Sequence, residues 1–457
     1  MKIAGSPLSL IRRFVAWRWY ATLVLATWVL APEVRRIVDW LTSFHAVSIF
    51  SVLPLLSLIP AVLVLPSAWS RAGSAYRQVS RLWFLALGYA FIVAFVSGST
   101  YSALYSLALF AVPFLLGIVL AASPSEDIAV VYERNVNSIL WLAAFTSLYG
   151  IYQYISPPPW DVYWAQQANV EAGQGVTAAF NFRIFGTLNL AGALSNFLDF
   201  AILLNVPRLR LSRWWIGLLL VPSVIALILT EVRAEWLALA LGVAIFTLLS
   251  PKRGAVLVTL GGVAALFVVV VSLLLTVVNS EGANQTVYNI GKRISTFGAL
   301  GSDASALSRQ GQSDVAISEG LTEPIGQGLG ASGNSNKLAG GTGQGIDNGF
   351  VARFYEMGVV GFIVYELALL VGIVTTFRTY RRYIRARNLV AANYLAVAVA
   401  SQVVLFVAEI DADHHNALAA LFFWFSLFIA SGFTAPLGAR AEASRRRELI
   451  ALTPARV

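Results

Sequence analysis

RAEWLALALGVAIFTLLSPKRGAVLVTLGGVAALFVVVVSLLLTVV (residues 233–278) holds two apolar runs, 233–250 and 254–278, parted by the turn Pro251-Lys252-Arg253. Each run is of the length that crosses about 30 Å of hydrocarbon. Between them the chain has room only for a tight basic turn, so the segment reads as a transmembrane hairpin whose turn faces the cytoplasm. Its charged residues, Arg233 and Glu235, stand at the start of the first run.

The same pattern extends in both directions. Apolar runs of spanning length lie near residues 16–33, 47–66, 81–98, 101–121, 136–156, 186–205 and 213–230 before the hairpin, and near 350–376, 389–408 and 415–434 after it. Composition agrees: hydrophobic residues make up 58% of the 457 and charged residues 12%. Soluble domains carry roughly a quarter charged residues, enough to clothe an apolar surface in solvated groups. This chain has too few to do so, and a bilayer removes the need. The expected fold is an all-α, polytopic bundle of about twelve transmembrane helices, a single integral membrane domain over 1–457.

Net charge is +9, which in a soluble protein would suggest nucleic acid. Its distribution argues otherwise. With both termini assigned to the cytoplasm, 23 of the 32 Lys and Arg fall in cytoplasmic segments or at cytoplasmic span ends, and 16 of the 23 Asp and Glu fall outside or toward the outer ends of spans. That is the positive-inside bias, and it leaves no reason to invoke nucleic acid. Asp199 and Glu366 are left within spans by this division. The N-terminal MKIAGSPLSLIRRFVAWRW has no small-residue cleavage site after its apolar run, so the first helix is expected to be retained. Cysteine is absent, excluding disulfides and thiol chemistry.

Two external segments are long: a smaller loop at 157–185 and a large, Gly/Ser/Asn-rich one at 279–349, expected to carry short helices. Loops of that length are functional or disordered, and the candidate chemistry gathers around them. Arg233, at the outer end of its span, would cost a few kcal/mol facing lipid. It either snorkels in a local ion pair with Glu231 and Glu235 or faces a cavity and grips phosphate at two points. Arg309 lies in an amphipathic stretch of the large loop, alternatively a solvated surface helix. Lys292 and Arg293 read as solvated. Asp347 and Asn348 precede the tenth span, where they fit an ordinary helix cap or, for Asp347, a general base. Glu319 and Glu356 are further carboxylates. PIGQGLG (324–330) lacks the Lys-Ser/Thr of a phosphate loop and reads as a structural glycine turn. His414 and His415, beside Glu409, Asp411 and Asp413, read as solvated rather than as a metal site. His45 carries no signal.

Taken in order, RIFGTLNLAGALSNFL (183–198), LTEVRAEWLAL (229–239), SRQGQSDVAISEGLTEPIGQGLG (308–330) and IDNGFVARFYEMGVVG (346–361) resemble the O-antigen ligase / O-antigen polymerase superfamily of bacterial inner-membrane glycosyltransferases. The resemblance covers roughly 140–375. It implies transfer of a glycan from an undecaprenyl-diphosphate-linked oligosaccharide to an acceptor hydroxyl in the periplasm, at a multi-pass protein of the inner membrane. Carried over, Arg233 and Arg309 would bind the diphosphate, with Arg183 a further contact. Asp347 would be the catalytic carboxylate, with Glu319 a second candidate and Asn348 orienting. The donor is already activated, so neither cofactor nor metal is required. Membrane lipids and other polysaccharide export components are the expected partners. Where ligases of the family carry histidine, this sequence has Asp347, which looks more like the polymerases. A ligase attaching glycan to lipid or protein is the alternative. A small-anion transporter or a flippase fits less well, since both place charge along a path through the bundle.

Overall fold

The computed structural model describes residues 19–45, 48–71, 73–121, 128–168, 177–209, 213–251, 280–295, 304–333, 345–412 and 417–432, with a few isolated positions between. Among them all regular structure is helical: α1 Tyr20–Leu41, α2 Ile49–Leu56, α3 Ile59–Arg71, α4 Ser74–Val96, α5 Thr100–Ala121, α6 Ile128–Ile155, α7 Pro159–Gln167, α8 Ala191–Asn205, α9 Trp214–Leu229, α10 Arg233–Leu249, α11 Ser280–Ser295, α12 Ala304–Thr322, α13 Gly349–Arg385, α14 Leu389–Ala408 and α15 Ala417–Gly432. Four of these, α4, α5, α13 and α14, are long and apolar enough to cross a membrane, and shorter apolar helices include α9 and much of α15. The chain is a multi-pass membrane protein. Most of the run expected at 254–278 lies outside the described residues.

Two expected spans differ in form. The first, expected over 16–33, is the helix α1, which continues to Leu41 and carries Arg35 and Arg36 inside it. The run at 47–66 is two helices, α2 and α3, interrupted at Ser57–Leu58, where the Tyr20 hydroxyl donates to the Ser57 carbonyl at 2.9 Å.

The core is aromatic and tightly fitted. Trp83 of α4 stacks on Phe114 of α5 with centroids 5.3 Å apart and meets Trp424 of α15 edge-on at 5.1 Å. Offset and edge-to-face geometries of this kind add to burial energy.

The helices' ends fall into two groups. α10 and α14 run antiparallel: Ser250 Oγ bonds Asn393 at 3.2 Å, while Gly242 packs beside Val404, whose Cγ2 a Cβ there would meet at 3.1 Å. Continuing that register, Arg233 falls level with the end of α14, at Glu409 and Asp411. The ends of α6, α9 and α14 and the starts of α10 and α13 thus share one end of the bundle.

Gly358 breaks α13 (φ 61°, ψ −173°), a backbone conformation open essentially to glycine alone. The carbonyls that lose their helical partners are taken by the glycine turn: Gln327 N donates to Tyr355 O and Gly328 N to Glu356 O, both at 2.9 Å, and Val359 N returns a bond to Pro324 O at 3.0 Å. Irregular backbone in a membrane protein persists where such pairing replaces water. A Cβ on Gly328 would lie 2.4 Å from the Ala94 Cα. The PIGQGLG segment is therefore a packing device, as its lack of a Lys-Ser/Thr suggests.

Candidate active site at one end of the bundle

Arg309, on α12, is held by two carboxylates from other elements. Its Nε donates to Asp347 Oδ2 at 3.0 Å and its Nη1 to Asp411 Oδ1 at 2.6 Å. Asp347 immediately precedes α13 and Asp411 follows α14, so one guanidinium joins three elements that are far apart in sequence. The three side chains stay accessible, at 44% (Arg309), 50% (Asp347) and 30% (Asp411). A charge-assisted site open to solvent can meet a substrate; a buried one of the same composition could not.

Beside Asp347, Asn348 caps α13: its side chain accepts from the Val351 amide at 3.1 Å. The capping reading of Asn348 thus holds, and it leaves the Asp347 carboxylate to Arg309. The next residue is packed tightly. Gly349 donates its amide to the Glu409 carbonyl at 2.7 Å, and a Cβ on Gly349 would sit 1.6 Å from Glu409 Oε2. Glu409 is itself 1% exposed, so the end of α14 and the start of α13 are fastened at this point, and Asp347 and Asp411 are carried on that joint.

Arg183 belongs to a second group at the same end. Its Nε donates to the Thr230 carbonyl at 3.0 Å, in the turn between α9 and α10. Glu231 in that turn takes a left-handed backbone (φ 54°), and Arg233 follows as the first residue of α10, half-buried between two buried carboxylates, Glu231 and Glu235. Glu235 in turn faces the buried Asp199 of α8. The structure therefore brings Arg183 and Arg233 to one turn and Arg309, Asp347 and Asn348 to one joint.

Glu319 stands apart. It is exposed on α12, ten residues or about 15 Å along the helix from Arg309, beside the Tyr355 hydroxyl. Glu356 is buried and fully engaged: Oε2 meets Arg353 Nη1 at 2.6 Å, and Oε1 accepts from the Ser332 hydroxyl at 2.7 Å. Its role is to tie α13 to the glycine turn. Asp413, His414 and His415 lie outside the described residues, as do the side chains of Lys292 and Arg293.

A buried ionic network, not singled out in the sequence, supports the Arg183 segment. Arg36 of α1 is fully buried. Its Nε lies 2.6 Å from Asp161 Oδ1, it pairs with Glu33, and it donates to the Gly186 and Leu188 carbonyls. The Tyr149 hydroxyl bridges Glu33 and Asp161 at 2.6 and 2.7 Å. Gln153 donates to Asp161 at 2.6 Å while its oxygen accepts from the amides of Phe185 and Gly186. The Phe185 ring lies under the guanidinium at 4.9 Å. Arg36 and Gln153, held in place by these carboxylates, both bond residues 185–188, the irregular stretch that follows Arg183. The expected first span ends at residue 33, which leaves Arg36 outside it, whereas α1 carries it inside the helix.

Residues 209–365 match the family model described as O-antigen ligase. That match supports the O-antigen ligase/polymerase superfamily for this central segment. No curated protein matches it significantly. The matched segment contains Arg233, Arg309, Glu319, Asp347 and Asn348; it leaves out Arg183, Asp411 and the Arg36 network. The match supports a ligase- or polymerase-type function in general, and it agrees with the resemblance carried by the sequence motifs.

Proposed function

We propose that the protein is a glycosyltransferase working at the face of the membrane away from the cytoplasm, extending a polysaccharide by joining repeat units carried on undecaprenyl diphosphate. On this reading about twelve helices span the bilayer, both termini are cytoplasmic, and 157–185 and 279–349 are the external loops. The observation that carries it is the Arg309–Asp347 pair, assembled within the family segment at an accessible end of the bundle.

In this scheme the Asp347 carboxylate accepts the proton of an acceptor hydroxyl as its oxygen attacks the anomeric carbon of the donor sugar. The bond from that carbon to the carrier diphosphate breaks, and the diphosphate leaves with the electron pair. Of the five N–H donors of the Arg309 guanidinium, Asp347 and Asp411 engage two, and the fork geometry suits a phosphate oxygen as a further partner. A fixed cation beside the leaving group offsets the charge that develops there. Arg233 and Arg183, half-buried at the neighbouring turn, supply further positive charge. Asp347 in place of histidine supports a polymerase over a ligase.

The test is deletion of the gene followed by analysis of carrier-linked glycans. Accumulation of single carrier-linked repeats supports the proposal. Accumulation of long unattached polymer would make the protein a ligase, and unaltered glycans would reject both in favour of transport.

A further inference from the structure

The opposite end of the bundle carries a feature that the reaction does not use. α1, α6, α9 and α14 begin there, and beside their first turns, running along α6 as far as Leu142, lies a cavity of about 1040 Å³. Its lining includes Trp19, Trp141 and Trp215 together with Arg134, Arg213 and Asn137. That volume is at the upper end of the roughly 300–1,000 Å³ typical of small-molecule sites.

The described residues around it are net basic, and their charges are structurally fixed. Glu133, which precedes the apolar run 136–156, accepts from Arg208 Nε at 2.9 Å, from Arg213 Nη1 at 3.1 Å and from the Tyr394 hydroxyl at 2.7 Å. Burial acts to raise its pKa, but Tyr394 and the two arginines outweigh it and hold the carboxyl below its ordinary value. Arg208, 2% exposed, is anchored further by Asn205 and Asn137. Among the described residues around the cavity, one carboxylate, Glu133, stands beside three guanidinium groups, those of Arg134, Arg208 and Arg213. Beyond the charged floor the wall is apolar and turned outward: Trp141 and Val130 are 59% and 56% exposed.

We propose that this cavity binds one anionic phospholipid. Its phosphodiester lies between Arg134 and Arg213, and its acyl chains run along Trp141 and Val130 into the surrounding bilayer. A soluble phosphate would use the floor and leave the outward-facing aromatic wall without a role, whereas a phospholipid uses both. Tryptophan is enriched at the level where headgroup meets hydrocarbon, and basic recesses between membrane helices select anionic headgroups. The site lies at the far end of the helices from Arg309, so it is independent of the proposed transfer reaction.

The experiment is native mass spectrometry of the purified full-length protein in detergent, titrated with phosphatidylglycerol or with phosphatidylcholine. Phosphatidylglycerol should be retained at least about 10-fold better. Arg134→Gln, which leaves the Glu133 cluster in place, should lower that retention about 5-fold, and Arg134→Gln with Arg213→Gln about 30-fold, following the usual worth of one basic residue at an anionic headgroup. Trp141→Ala, an exposed position whose loss threatens the fold little, should weaken both lipids alike. Equal retention of the two lipids, or no change in Arg134→Gln, would overturn the proposal. So would glycerol phosphate binding as tightly as the lipid, which would make this a free-phosphate site, or displacement of phosphatidylglycerol by an equimolar polyprenyl phosphate.

Discussion

Replacing Arg309 by alanine separates its chemistry from its contribution to stability. Its two ion pairs, to Asp347 and Asp411, join side chains that are 30–50% exposed, and exposed pairs are worth about 0.2–1 kcal/mol each. Arg309→Ala should therefore cost less than about 2 kcal/mol, and the purified variant should elute as a monodisperse species with a melting temperature within a few degrees of the parent. Loss of a fixed donor at a developing oxyanion costs about 2.7–4 kcal/mol of transition-state stabilisation, a factor of about 10² to 10³ in turnover. The assay is polymer formation by purified protein from a carrier-linked repeat, with thermal melting measured on the same preparation. Arg309→Lys keeps the charge but loses the planar fork, and should recover less than a tenth of the activity. A variant whose activity and melting temperature fall in proportion, or one keeping more than about a tenth of parent turnover, would show that Arg309 serves only to pin α12 to the α13–α14 joint.

Asp347→Asn preserves an acceptor for Arg309 but removes the basic oxygen; turnover should fall at least about 100-fold with little change in melting temperature, and full activity would leave Asp347 without a role as base. Gly349→Ala places a methyl group on the Glu409 carboxylate and should lower melting and activity together, whereas an unchanged melting curve would show that the joint yields freely. Gly358→Ala combines a left-handed backbone with a Cβ 2.3 Å from the Pro324 carbonyl and should cost more than about 3 kcal/mol, read as loss of folded protein from detergent extracts. Arg36→Met strands Glu33 and Asp161 without their cation and should cost about 3–5 kcal/mol; adding Glu33→Gln and Asp161→Asn should restore a large part of it, and failure of the triple variant to recover would mean that the guanidinium's bonds to Gly186 and Leu188 dominate.

The helices were legible because lipid imposes a simple rule: apolar runs of fixed length, with basic residues on one side. α10, α14 and α15 fall within a few residues of the expected limits. α1 did not, because the rule treats an arginine as an end. Arg36 violates it by carrying its own neutralisation: Glu33 lies one turn earlier on the same helix and Asp161 arrives on α7, 125 positions on in the sequence. The first half of that pairing is visible as an i, i+3 spacing. The second is a tertiary fact that no local pattern encodes. The break in the 47–66 run was hidden in the same way, since apolar composition is continuous through Ser57 and Leu58 while the helix is not.

The candidate site divides along the same line. Arg309 and Asp347 were each marked by position, one as a cation in an external amphipathic helix and the other as a carboxylate at a helix start, but nothing in the sequence pairs them across 38 residues. Asp411 was grouped with the neighbouring histidines on proximity in sequence, whereas its contact is with Arg309. Glu319, a further carboxylate on the same helix as Arg309, lies well away along that helix. What gathers the real partners is the fastening of α13 to α14 at Gly349 and Glu409, a contact that requires the absence of a side chain. The Arg36 network does the same for the other group: it grips residues 185–188 by their backbone carbonyls and amides, so the adjoining Arg183 is held at the α9–α10 turn whatever the side chains between. In both places the charged groups are specified by residue type, but their meeting is specified by backbone contacts, and those depend on a glycine or a buried ion that reads as incidental in one dimension.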